Sequence, residues 1–163
     1  MEERNAESGS EGRNEVRNAK GGRIIRSYED LEVYRNSYQG MLMVFKEVIP
    51  KIPRHERYDL ADQLSRAVKA IPRLIAEGHS KRHQYKGFQK YIDDAHAESN
   101  ETIVSLNQFK DLYADKDYKR LDELIDLYDK ISRQLFKLSL AWVNYSQTRR
   151  NAESGSDRRN VVR

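Results

Sequence analysis

The chain has 163 residues, 34% charged and 37% hydrophobic, with a net charge of +4 and no cysteine. One domain is the expectation for this length, and the lack of cysteine excludes a disulfide framework and a thiolate metal site. No apolar run approaches the roughly 18 residues of a membrane span, and the polar start "MEERNAESGS" lacks the apolar segment of a signal peptide, so a cytoplasmic protein is expected.

Apolar residues are sparse at both ends and patterned in between. This divides the chain into a flexible polar tail (1–26), a helical domain (27–146) and a flexible basic tail (147–163). The first predicted helix starts at Ser27, a capping hydroxyl, with Asp30 at the position of the reciprocal carboxylate. Its seam reads Leu31, Tyr34, Tyr38, Met41, Phe45 and Val48, and Pro50 and Pro53 end it because proline has no amide hydrogen. The second covers about 56–77, with Leu60, Leu64, Ala67, Val68, Ile71 and Ile75 on one side. Pro72 should kink it and Gly78 should stop it.

After "GHSKR", the third helix carries Tyr85, Phe88, Ile92, Ala95, Ser99, Thr102, Leu106, Phe109 and Tyr113 in steps of three and four. A short "ADKD" turn leads to the fourth, with Leu121, Leu124, Ile125, Tyr128, Ile131, Leu135, Leu138, Trp142 and Tyr145. Nothing alternates with period two over a useful length, so no strand is predicted. Four such helices on short loops should form an all-α, up-down-up-down antiparallel four-helix bundle, with the aromatic stripes as core packing rather than a cofactor box. On the fourth helix, Phe136, Leu140 and Val143 form a second stripe, more than about 120° from the core seam. A monomer would leave it wet, so it reads as a subunit interface; a tail or a broad core edge is the plainer alternative.

Charge is unevenly placed. Residues 51–90 hold ten Lys and Arg against four Asp and Glu, and residues 91–131 hold five against eleven. This polarity suits an anionic partner or head-to-tail contact between copies. On the second helix Arg66, Lys69 and Arg73 share a face, although Asp62 and Glu77 stand at pairing distance along the helix. Arg82, Lys86 and Lys90 repeat every four residues beside Lys81, His79 and His83, and only Asp94 offers Lys90 a partner. Like charges at that spacing repel, which makes sense if phosphates neutralise the ladder. Tyr85 and Tyr91 flank it and could stack on unpaired bases, with core packing as the plainer role for Tyr85.

Catalytic signatures are missing. The chain has no glycine-rich phosphate loop, no G-x-S-x-G and no H-E-x-x-H. His79 and His83 are spaced i, i+4 but are read as falling in a basic loop that would repel a cation. Asp93, Asp94, His96, Glu98 and Glu101 crowd one helix, but the Glu-x-x-His pairs of a di-iron bundle are absent. No enzyme, catalytic residue, metal or cofactor is therefore expected.

The stretches "SYEDLEVYRNSYQGM", "IPRHERYDLADQLSRAVKAIPRLIAEG" and "KGFQKYIDDAHAESNET" resemble the four-helix-bundle proteins encoded in intervening sequences of bacterial 23S rRNA genes. That family is similar to the accessory variability determinants of diversity-generating retroelements. The resemblance covers residues 27–145, and its most specific part runs from Arg66 through Ile71-Pro72 to Ile75-Ala76-Glu77-Gly78, followed by Phe88, Ala95 and Glu101. It implies a homopentameric ring with nucleic-acid-binding basic surfaces and, in the retroelement branch, a reverse transcriptase and its template RNA as partners. Leu74 stands where the family commonly has Asn, and Ala97-Glu98 where it has a small Gly-Ser step.

The peptide "RNAESGS" occurs at 4–10 and again at 150–156. One reading is a trace of DNA, a direct repeat flanking an inserted or duplicated segment. The other is a pair of arginine arms that grip RNA. The functional expectation is a non-enzymatic oligomer that binds structured RNA or an RNA–DNA hybrid, through Arg66, Lys69, Arg73, Lys81, Arg82, Lys86 and Lys90. The alternative is a structural or adaptor oligomer that binds a protein.

Overall fold

The computed structural model describes residues 25–84, 86–114 and 118–157, with side chains in the last helix to Thr148. The described residues are helical without strands, in four main helices: α1 (Glu32–Met43), α2 (Leu60–Ser80), α3 (Gly87–Leu112) and α4 (Lys119–Asp157). Ser27 and Asp30 do form a capping box, but it caps a separate 3-10 turn, Tyr28–Asp30. After Met43 the chain continues through a π turn, Val44–Val48, and a 3-10 turn, Ile49–Lys51.

Helices α1 and α3 each pack on both α2 and α4. The core is Leu64, Val68, Ile71 and Ile75 of α2, Ile92, Leu106 and Phe109 of α3, and Leu121, Leu124, Tyr128, Ile131 and Leu135 of α4. Each fully buried side chain of this size contributes about 1.5–3 kcal/mol. These are the faces that the three- and four-residue spacing predicts. Pro72 lies buried inside an uninterrupted α2, its ring replacing one ladder hydrogen bond.

In α1 the buried face differs from the predicted seam. Val33, Ser37 and Gly40 of α1, with Val44 and Val48 of the π turn, point inward, whereas Tyr38 and Phe45 are exposed. The reason lies on α4. Tyr128 is fully buried, and a Cβ placed on Gly40 would lie 3.1 Å from its hydroxyl oxygen. A large ring on one helix requires the smallest residues on the facing one. Tyr128 Oη has no hydrogen-bond partner among the described residues, and burial pushes its ionisation well above the usual tyrosine range.

A polar seam joins α3 and α4. Ser132 donates to Asn100 at 2.8 Å and Ser139 to Asp93 at 2.8 Å. Gln89 donates to Asp93 and Ser139, and Ser99 donates to the Tyr128 carbonyl at 3.2 Å. Seven residues up one helix match seven down the other, which sets α3 and α4 antiparallel. The next level of this register would match Ser146 with Lys86, immediately before α3 begins at Gly87, and both line one cleft.

Two further expectations are corrected. Gly78 does not stop α2, which runs on to Ser80. It lets α2 and α3 approach, since a Cβ there would lie 3.0 Å from Tyr91 Cβ. Tyr145 is exposed rather than core, because α4 passes the start of α3 at that level. Helix α4 itself continues past residue 146 to Asp157, through the second copy of the repeat. Extending an existing helix adds one hydrogen bond per residue fixed, and no proline interrupts 147–157. The first copy and residues 158–163 lie outside the described residues, as does Tyr85.

Candidate nucleic-acid interface

The predicted ladder is not a helical ladder. α2 ends at Ser80 and α3 begins at Gly87, so Arg82 lies in the turn, Lys86 is the residue preceding α3, and only Lys90 is inside it. Repulsion at helical spacing therefore does not apply to the three. The turn is tight: Gln84 N donates to the Lys81 carbonyl at 2.9 Å and Gly87 N to the Gln84 carbonyl at 3.1 Å.

Most of these cations have partners within the chain. Arg82 donates to the His79 carbonyl at 2.9 Å. Lys81 donates to the Tyr91 hydroxyl and lies 4.4 Å from that ring's centre. Lys90 pairs with Asp94 at 2.6 Å, which holds its ammonium above its usual range. Lys86 is exposed, and its amine has no partner among the described residues. It borders a cleft of about 530 Å³ whose far wall is Trp142, Val143 and Ser146.

Arg66 and Arg73 pair along α2 with Asp62 (3.2 Å) and Glu77 (3.7 Å), as the spacing predicts. With Lys69 they rim a cleft of about 470 Å³ closed on the α3 side by Glu98 and Glu101. Burial and then Glu101 raise the Glu98 carboxyl above its usual range, while Arg73 and Arg66 pull it down. These cations thus face carboxylates across the cleft, a poorer setting for phosphate than an uncompensated patch. Lys69 has no ion-pair partner among the described residues and sits 5.6 Å from the Phe45 ring centre.

Of the predicted subunit-interface residues, Phe136 and Leu140 are exposed on α4. Val143 is half-buried and turned into the cleft beside Trp142. The Trp142 indole N–H is buried without a hydrogen-bond partner among the described residues.

Charge counting passes over a second basic cluster, in the connector between α1 and α2. Lys51, Arg54 and Arg57 are exposed and have no ion-pair partner among the described residues, and Tyr58 beside them is 86% exposed. Their charge is part of the 51–90 surplus; what the sequence does not display is which cations the fold leaves free. No group of three or more His, Asp or Glu among the described residues could hold a metal ion, and no described helix is long and apolar enough to cross a membrane.

Residues 29–137 match the family model of the 23S rRNA-intervening sequence protein. No curated protein matches the chain significantly.

Proposed function

The chain belongs to the 23S rRNA-intervening sequence protein family, and from that premise we propose that it is a non-enzymatic, oligomeric protein that binds structured RNA or an RNA–DNA hybrid. The carrying observation is that Lys69 and Lys86, among the predicted residues, have no ion-pair partner among the described residues, although carboxylates also line the cleft that each borders. Free ammonium groups on a rigid helical frame meet phosphates without first giving up a carboxylate. The pairs formed by Arg66, Arg73 and Lys90 are exposed, so each contributes little to stability. A phosphate can displace such partners, and these residues then add to a site that the free lysines nucleate.

The subunit is read as an up-down-up-down bundle that assembles into a homopentameric ring. Phe136 and Leu140 on α4 supply apolar area that a lone subunit leaves in water. A reverse transcriptase and its template RNA are the partners in the retroelement form of this proposal. The pairing of Arg66, Arg73 and Lys90 with their own carboxylates favours a second reading, an adaptor oligomer that contacts protein alone.

Titration of structured RNA, duplex DNA and a hybrid across a salt series separates the two. The proposal expects log affinity to fall linearly with log salt, and Lys69→Glu/Lys86→Glu to reduce the slope by about two. No binding to any of the three at low salt overturns it in favour of the adaptor.

A further inference from the structure

The connector between α1 and α2 is built as a rigid platform. Pro50 and Pro53 fix two backbone angles, and Ile52 and Leu60 anchor its ends in the core. Backbone bonds close it internally, from Glu56 N to the Pro53 carbonyl at 2.9 Å and from Asp59 N to the Glu56 carbonyl at 3.2 Å. Its two acids are engaged: Glu56 accepts from the Tyr113 hydroxyl, and Asp59 accepts from Gln63 at 2.8 Å.

Several basic side chains of this platform lie against aromatic rings. Lys51 lies 3.5 Å from the centre of the Tyr118 ring, whose hydroxyl donates to the Glu47 carbonyl at 2.7 Å. His55 meets Tyr113 edge-on at 5.7 Å between ring centres. The Arg57 guanidinium is 5.7 Å from the Tyr58 ring centre. Tyr58 is 86% exposed, the highest value among the exposed large apolar side chains. A tyrosine ordinarily buries most of its ring; here the ring stands largely in water beside Arg57, which has no ion-pair partner among the described residues.

We infer that residues 51–59, with Tyr113 and Tyr118 from the α3–α4 connection, form a docking surface for unpaired RNA, in which Tyr58 stacks on a base and Lys51, Arg54 and Arg57 hold the flanking phosphates. The occupant follows from chemistry. A ring as exposed as Tyr58 accepts any base face, and the cations of the same connector match the charge of a strand's backbone. A paired duplex offers a free base face only at its two ends, so the surface favours loops and single-stranded segments. The inference rests on the RNA-binding reading above and assigns it residues that the charge pattern alone did not.

Because Tyr58 is so exposed, its replacement leaves the fold intact and makes a clean test. A hairpin RNA with an unpaired loop and a blunt-ended RNA duplex are titrated against wild type, Tyr58→Ala, Tyr58→Trp and Arg54→Glu/Arg57→Glu, with subunit mass followed by light scattering. The inference expects wild type to prefer the hairpin and Tyr58→Ala to lose that preference, weakening hairpin binding on the order of ten- to a hundredfold. It expects Tyr58→Trp to keep the preference, and the charge reversal to weaken both RNAs and flatten the salt slope. If wild type binds both RNAs and Tyr58→Ala binds like wild type, the inference is overturned while the RNA reading stands. If wild type binds neither, the RNA reading falls and takes the inference with it. If neither RNA binds and the charge reversal alters the assembly mass, the surface is a protein contact.

Discussion

The two connectors that flank α2 carry three Lys and Arg residues each and use them differently. In 81–86, Lys81 and Arg82 fold back onto Tyr91 and the His79 carbonyl, and charge there helps to hold the turn. In 51–59, prolines, buried anchors and backbone hydrogen bonds hold the turn, and Lys51, Arg54 and Arg57 keep their charge without an ion-pair partner among the described residues. A count of basic residues ranks the two connectors alike. The partners of each cation separate them: one connector is chiefly structural, the other chiefly available.

The largest expected difference between them is in stability. A Cβ on Gly87 would lie 2.9 Å from the Lys81 carbonyl oxygen, a backbone atom that cannot swing aside. Gly87→Ala should therefore lower unfolding free energy by about 1–3 kcal/mol in denaturant melts, whereas Tyr58→Ala should stay within about 0.5 kcal/mol of wild type. Equal effects would erase the contrast. Next comes RNA affinity: Arg54→Glu/Arg57→Glu should weaken binding on the order of tenfold more than Lys81→Glu/Arg82→Glu, read by anisotropy at fixed salt.

A smaller effect concerns pH. Burial, then Arg82, holds the His79 imidazole below its usual 6.5, against an opposing pull from Asp30. The folded state thus favours the neutral ring and the unfolded chain binds the proton more readily. The resulting stability is present above pH 6.5 and is lost as pH falls through the lowered folded value. Wild type should lose stability in that window and His79→Gln should lose less, measured as thermal midpoints from pH 7 downward. The smallest effect is that of Tyr91→Phe, which frees the Lys81 amine from its hydroxyl and should shift stability by about 0.5–1.5 kcal/mol with RNA affinity unchanged or slightly raised.

Periodicity reveals the fold where large side chains mark the buried face. Leu64, Ile71 and Ile75, then Ile92 and Phe109, then Leu121 to Leu135 all read correctly for that reason. It misleads in α1, where the buried positions include Ser37 and Gly40 and the larger Tyr38 and Phe45 draw the seam one residue round. Only the partner ring, Tyr128, explains that choice, and no spacing rule connects positions so far apart in the chain. Gly78 reads as a stop and is a contact point for the same reason. The pairs Asp62–Arg66, Arg73–Glu77 and Lys90–Asp94 are legible because they are local. The capture of Lys81 by Tyr91 and of Arg82 by a carbonyl depends on how a turn folds, and charge patterning does not encode it.

The central claim is that cations left unpaired by the fold bind RNA. Its most direct measurement compares Lys51→Glu/Arg54→Glu/Arg57→Glu with Asp62-paired Arg66→Glu and Glu77-paired Arg73→Glu combined, in one salt-series titration of a hairpin RNA. The account predicts that the triple reversal lowers affinity more and flattens the salt slope more, by about one unit for each phosphate no longer neutralised. A larger loss from the Arg66 and Arg73 reversals would contradict it and move the interface to the α2–α3 cleft.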